Sequence, residues 1–379
     1  MTRVRILAPY FPPAVAGGGP IRTLDALARS APEGITLEIV TRDRDLGATT
    51  RLDVPDAVVT TAGRQVRFLD TRGPLGVLRL ASAIRTRPAP DLTYLNTVFD
   101  ARFGVLPLLL RRCQLVPAGP VLVAPRGEFD PGALALKSAK KRRYLELARR
   151  LGLFHGVTWH ASTELEASHV RRAVGVGADI VVRENETSLP ARAERTPPPT
   201  HERLELVTVG RICPKKRTHL VIEALAHVSR PVRLVVLGPV DDVAYGRRCA
   251  AAAAVLPARV QVEFTGVRPH AAAVDAVRAA HAMVTATAGE NFGHTIAEAL
   301  AVGRPVLLSD TTPWSARVEA GGGEVVADDA WAATIDRWAS YSDEELAGRA
   351  ARAASSYDAW RSAPPEPHVF ELALRRLPR

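Results

Sequence analysis

Along the first half of the chain, apolar residues alternate between short β-branched runs and longer stretches where they return every three or four positions. The runs "VRILAPY" (4–10), "ITLEIVTR" (35–42), "PDLTYLNT" (90–97) and "VLVAPRG" (121–127) predict strands, and a helix is expected from about Ile21. At 188–203, "SLPARAERTPPPTHER", the pattern breaks. Pro197, Pro198 and Pro199 stiffen the chain there and remove backbone donors, which marks a connector outside a packed unit. The alternation restarts with "LELVTVG" (204–210), "VRLVVLG" (232–238), "VQVEFTG" (260–266), "HAMVTAT" (281–287) and "PVLLSD" (305–310). Strands this continuously apolar belong to parallel sheets covered by helices on both faces.

The predicted fold is therefore α/β, with two doubly wound Rossmann-like domains: 1–190, a linker over 191–203, and 204–359. Ligands of such folds bind beyond the carboxyl ends of the strands. The segments "VTVGR", "VVLGP", "EFTGV" and "TATAGEN" thus form one functional rim, and the site is expected in a central cleft faced by both domains.

Two stretches on that rim carry chemistry. "VGRICPKKRTHL" brings Arg211, Lys215, Lys216 and Arg217 to a strand end just before a helix, a set of cations suited to a diphosphate. The plainer alternative is a solvated basic turn. "GENFGHTIAEALAVGRPV" (289–306) sets Glu290 and Glu298 eight residues apart around a helix start. Carboxylates repel phosphate, so these two are expected to accept hydrogen bonds from hydroxyls of a sugar and a ribose, with Gly289 and Gly293 allowing close backbone approach. The alternative is a capping box, Thr295-x-x-Glu298, with Glu290 an exposed loop acid.

Composition narrows the class. With 379 residues, 47% apolar and 24% charged, the chain fits a two-domain globular enzyme. No apolar run reaches the roughly 18 residues of a membrane span, and the prolines after "MTRVRILAPYF" interrupt any signal-peptide core, so a cytoplasmic location is expected. Cys113, Cys213 and Cys249 form no disulfide or zinc spacing, and Asp43-x-Asp45 reads as turn acids after a strand rather than a metal motif. The net charge of +10 concentrates in 134–150, "LALKSAKKRRYLELARR". This basic helix is a candidate for peripheral contact with anionic lipid, its alternative being a solvated face. Nucleic acid is disfavoured because aromatic residues are not interleaved with the basic run.

"ENFGHTIAEALAVGRPVLLSDTTPW", with "VGRICPKKRTHLVIEAL" upstream, resembles the donor-binding half of retaining family-4 (group 1) glycosyltransferases of the GT-B fold. In the first half "PYFPPAVAGGGPIRTL", "APRGEFDPGALALKSAKKRR" and "WHASTELEASHV" also resemble that family, so the likeness covers nearly the whole chain. The resemblance implies that Arg211 and Lys216 hold the donor diphosphate, that Glu290 contacts the transferred sugar, and that Glu298 holds the ribose hydroxyls. It further implies that Asn291, Phe292 and Gly293 approach the sugar, that Thr295 lies near the phosphates, and that Gly18 and Gly19 close over the diphosphate. Gly266 and Val267 fall where the base packs, and Arg126, Glu128, Lys140 and Lys141 are acceptor-side candidates. The resemblance further implies that the C-terminal helix, 360–379, crosses back to join the first domain.

Two positions depart from the family pattern. Arg126 stands where many members have a histidine, and Arg217 where a glycine usually follows the lysine. The activity implied is transfer of a hexose or N-acetylhexosamine from an NDP-sugar, UDP before GDP, to a hydroxyl of a glycan, lipid-linked glycan or metabolite, with no metal or other cofactor. A nucleotide-sugar epimerase of the same fold is the alternative enzyme, and a basic-surface binding protein the non-enzymatic one.

Overall fold

The computed structural model describes residues 1–55, 57–60, 64–116, 119–135, 138–200 and 202–376. The chain divides into two compact units, Met1–Ser188 with Pro365–Arg379, and Leu189–Pro364.

The first unit's sheet contains β1 (Thr2–Leu7), β2 (Ile35–Arg42), β3 (Ala57–Thr60), β4 (Arg64–Leu69), β5 (Leu92–Leu95), β6 (Val121–Val123), β7 (Val157–Ala161) and β8 (Asp179–Val182). Its order is β3-β4-β2-β1-β5-β6-β7-β8, parallel throughout except for β3 against β4. Alternation along β1 supplies both faces: Val4, Ile6 and Ala8 join the core that holds Leu24 and Tyr94, while Leu7 joins the opposite core with Leu95, Phe103 and Trp159.

The second unit's sheet contains β9 (Leu204–Val209), β10 (Val232–Leu237), β11 (Val260–Gly266), β12 (Ala282–Thr285), β13 (Val306–Leu308) and β14 (Glu324–Val325), ordered β11-β10-β9-β12-β13-β14 and parallel. In each unit the chain winds outward from the first strand and then returns to its other side. The direction reverses between β1 and β5 and between β9 and β12, the positions at which doubly wound sheets bind ligands.

Within the stretch 191–203, read as a linker, residues 196–199 are held along the second unit. Buried Arg304 donates to the carbonyls of Thr196 at 2.9 Å and Pro197 at 3.0 Å, and His281 Nε2 meets the Pro199 carbonyl at 3.1 Å. Proline lacks a donor but keeps its acceptor, so neighbouring cationic and ring N–H groups can still fasten it.

The C-terminal helix is shorter than the span 360–379. Asp343–Arg361 is one helix of the second unit, opened by a capping box between Ser342 and Glu345, and the prolines that follow end it. A separate helix, Val369–Arg375, belongs to the first unit and buries Val369, Phe370 and Ala373, with the Phe370 ring edge-on to Tyr94 at 5.6 Å. No helix among the described residues is long and apolar enough to cross a membrane.

Candidate active site

At the β9/β12 reversal the two strand ends bring Lys216 and Glu290 together, with Lys216 Nζ donating to Glu290 Oε1. Backbone contacts fix the pair. Ala288 N–H donates to the Lys215 carbonyl at 2.8 Å, Glu290 N–H to the Thr311 carbonyl at 3.3 Å, and Thr311 Oγ1 to the Thr287 carbonyl at 2.6 Å. Burial alone would raise the Glu290 carboxyl. The Lys216 and Lys215 charges, with hydrogen bonds from Lys216 and Thr287, outweigh it and hold the carboxyl below its ordinary value, so it is ionised at neutral pH. An exposed loop acid is therefore excluded for Glu290.

Glu298 has a different partner. Gly293, at φ 82°, is the N-cap of helix His294–Ala301 and no side chain caps it, so Thr295-x-x-Glu298 is not a capping box. A Cβ at Gly293 would sit 3.0 Å from Ile296 and 3.1 Å from Trp314, which adds a packing reason for glycine there. Buried Glu298 instead meets His270 Nε2 at 2.9 Å, at the start of helix His270–Arg278 just beyond Gly266 and the exposed Val267. Phe292 is buried against Trp314, whose Nε1 donates to the Phe292 carbonyl, so neither its ring nor its carbonyl oxygen is open at this turn.

The remaining cations divide. Arg211 is exposed and pairs with Asp241 at 2.8 Å. Arg217 takes φ 48°, the left-handed conformation that suits glycine, and its guanidinium is occupied by the protein. It donates to the Ala286 carbonyl at 2.6 Å, Ser309 Oγ at 3.0 Å and the Asp328 carboxylate at 2.7 and 2.8 Å. This departure from the family's glycine ties the cation loop to the ends of β12 and β13. A second close approach explains Gly238, where a Cβ would lie 2.0 Å from the Gly210 carbonyl oxygen.

In the first unit Gly18, at φ 66°, precedes helix Gly19–Arg29. The loop before it is anchored by Asp45, which accepts from Val15 N–H at 2.8 Å and Ala16 N–H at 3.1 Å. Asp43 pairs with Arg44 at 2.5 Å and Arg51 at 2.7 Å. Both acids of the Asp43-x-Asp45 pair thus hold protein groups.

Beyond β6, Arg126 donates to Asn96, Asn185 and Tyr94. Glu128 accepts from Thr97 Oγ1 at 2.8 Å and from the amides of Val98 and Phe99 at 2.5 and 3.4 Å. Burial raises its carboxyl to about 7 against these hydrogen bonds. Lys141 donates to the Ala133 carbonyl at 2.6 Å and lies over the Phe99 ring, while Lys140 is exposed on helix Ser138–Arg150. Of the four acceptor-side candidates, Glu128 and Lys141 are therefore built into the structure around Thr97–Phe99, and Lys140 stands on the surface.

Sequence reasoning had no hold on His270, Thr287, Thr311, Asn96 or Asn185, whose roles come from the strands and helices beside them. The positions of Asn96 and Thr287, at the carboxyl ends of predicted strand runs, were the available signals.

Residues 192–356 match the family model described as Glycosyl transferases group 1. No curated protein sequence matches the chain. Among solved structures, HepE of Anabaena in complex with UDP and glucose aligns with a TM-score of 0.66 and 19% identity over 96% of this chain and 95% of that one. Sucrose-phosphate synthase from Thermosynechococcus elongatus aligns at 0.68 and 16% over 99% and 97%. The lipopolysaccharide outer core galactosyltransferase WaaB aligns at 0.58 and 16% over 99% of both chains. At these identities the likeness shows the fold. The second unit thus matches the group 1 glycosyl transferase model over most of its length, and the chain as a whole shares the GT-B fold of two Rossmann-like domains with these structures.

Proposed function

We propose that this protein is a retaining, metal-independent hexosyltransferase that moves a hexose or N-acetylhexosamine from an NDP-sugar, UDP-linked before GDP-linked, to a hydroxyl of a glycan or glycosylated metabolite. The observation that carries the reading is the Lys216–Glu290 pair at the β9/β12 reversal. A donor sugar diphosphate offers each member a new partner: phosphate oxygens for Lys216 and sugar hydroxyls for Glu290. Arg211 adds a second cation, the Asn291–Gly293 backbone and Thr295 line the same turn, and Glu298, held by His270, offers carboxylate oxygens to ribose hydroxyls. Gly18 and Gly19 supply unhindered amides to the diphosphate. Gly266 and Val267 serve the base. HepE, which shares the fold, was solved with UDP and glucose.

In the reaction the acceptor oxygen forms a bond to the anomeric carbon as the bond to the diphosphate oxygen breaks on the same face, and the departing phosphate oxygen takes the acceptor proton. Lys216 and Arg211 stabilise the negative charge that grows on the leaving group. The exposed Lys140, Arg142, Arg143, Arg149 and Arg150 on helix Ser138–Arg150 support peripheral contact with an anionic membrane face when the acceptor is lipid-linked.

Thermal shifts with UDP, GDP, TDP and ADP and their common sugars test the reading, because a ligand of the native state raises the melting temperature. A UDP response followed by transfer to a hydroxyl acceptor is expected. Silence to every nucleotide overturns the reading, and interconversion of the donor sugar without any acceptor replaces it with an epimerase.

A further inference from the structure

The carboxyl ends of β5, β6 and β8 bring together a cation that forms no ion pair among the described residues. Arg126 lies three residues beyond β6, at φ 53°. Its Nε donates to Asn96 Oδ1 at 2.8 Å, its Nη1 to Asn185 Oδ1, and its Nη2 to the Tyr94 hydroxyl at 2.6 Å. All three acceptors are neutral, and no ion pair joins Arg126 to a carboxylate among the described residues. The neighbouring Glu166 carboxylate accepts instead from Gly127 N–H at 2.7 Å and from Ser162 N–H and Oγ at 2.7 and 2.8 Å.

Guanidinium has only donors, so both asparagines must turn their oxygens toward it. The Nδ2 amide of each is left over and has no protein acceptor among the described residues. Asn96 and Asn185 are only 7% and 5% exposed, which makes these a built set of side chains rather than surface groups. The Tyr94 hydroxyl donates a hydrogen bond to His160 Nδ1 at 3.1 Å, and His160 Nε2 donates to the Arg183 carbonyl at 2.9 Å. Burial drives the His160 imidazole down to about 3, so it stays neutral and brings no balancing charge.

What remains is a positive charge with spare N–H groups from Arg126 and two amides, at strand ends where α/β sheets bind ligands. An oxyanion satisfies such donors and balances such a charge, whereas a neutral hydroxyl does only the first. We propose that Arg126, Asn96 and Asn185 form a receptor for an anionic group of a sugar substrate, a carboxylate or a phosphate. The glycosyltransferase reading enters only in making the carrier a sugar.

The test is titration of the full-length protein, with and without UDP, against glucuronate, glucose 6-phosphate and glucose, followed by saturation-transfer NMR. One anion is expected to bind about tenfold or more tighter than glucose, and which one does so separates carboxylate from phosphate. Arg126→Gln is expected to abolish that preference. Asn185→Asp gives Arg126 an internal carboxylate, so it should fold with an equal or higher melting temperature and still lose the anion by about tenfold or more, which keeps the test decisive if Arg126→Gln does not fold. Anions that bind no better than glucose, or an unchanged anion affinity in Asn185→Asp, overturn the proposal. The UDP response in the same samples reports on the donor site separately, so failure of one reading is not mistaken for failure of the other.

Discussion

On the second unit's rim Lys216 meets Glu290 and Arg211 meets Asp241, whereas on the first unit's rim Arg126 meets two asparagines and a tyrosine. Both arrangements hold a cation at the carboxyl ends of parallel strands. In the first case the charge is balanced before any ligand arrives, so under the proposed function a donor must replace both partners, with phosphate and hydroxyls together. In the second the cation's hydrogen-bond acceptors are all neutral, and the proposed anionic group supplies the missing ion pair. Charge balance, rather than the number of basic residues, distinguishes the two rims.

The largest effect is expected from breaking the balanced pair. Glu290→Gln should lower kcat/KM by about 100-fold or more, since under the proposed function it removes the group that holds the reacting sugar while leaving Lys216 free for phosphate. The UDP thermal shift should persist or grow. A variant that transfers normally would make the pair merely structural.

Arg217→Ala sharpens the contrast from the other side, because this cation is spent on the protein. Loss of its bonds to Ala286, Ser309 and Asp328 should cost about 2 kcal/mol in urea unfolding. Arg217→Gly should cost less, since glycine is at ease at φ 48°. UDP affinity should stay close to that of the parent protein in both.

A carboxyl from each rim gives opposite pH signatures. Glu290 is depressed, so its stabilisation is present above the ordinary value of 4.5 and is lost as pH falls through the lower folded value. Glu128 is raised from 4.5 to about 7, so the folded state binds the extra proton between those values and stability falls as pH rises across them. Chemical denaturation from pH 3 to 8 should show the acid-side loss reduced in Glu290→Gln and the decline from about 4.5 to about 7 flattened in Glu128→Gln. The smallest effect is expected at Thr295, which caps nothing: Thr295→Ala should change stability by no more than about 0.5 kcal/mol.

Legibility followed the kind of strand. The apolar runs at 4–10, 35–42, 204–210 and 232–238 became β1, β2, β9 and β10, because central parallel strands need apolar side chains on both faces. Strands β4 and β7 escaped notice: "RQVRFL" interleaves polar residues near the sheet edge, and "VTWHA" places a histidine in the run. The prolines at 197–199 interrupted the pattern as expected, yet the segment packs, since the arginine that fastens it lies more than a hundred residues away.

The sequence by itself determined the alternation of strands and helices, the two-unit division of chemistry, and the residue types at the strand ends, because periodicity and turn chemistry are local properties. It also placed Glu298 in a helix behind a glycine. Only the tertiary structure decided who meets whom. Lys216 and Glu290 are 74 residues apart and touch because β9 and β12 are neighbours in the sheet. Arg126 and Asn185, 59 residues apart, and Glu298 and His270, 28 apart, are joined in the same way by chain winding. Ion pairing and desolvation depend on distance in space, so whether a cation is balanced or left open is set when the sheets form.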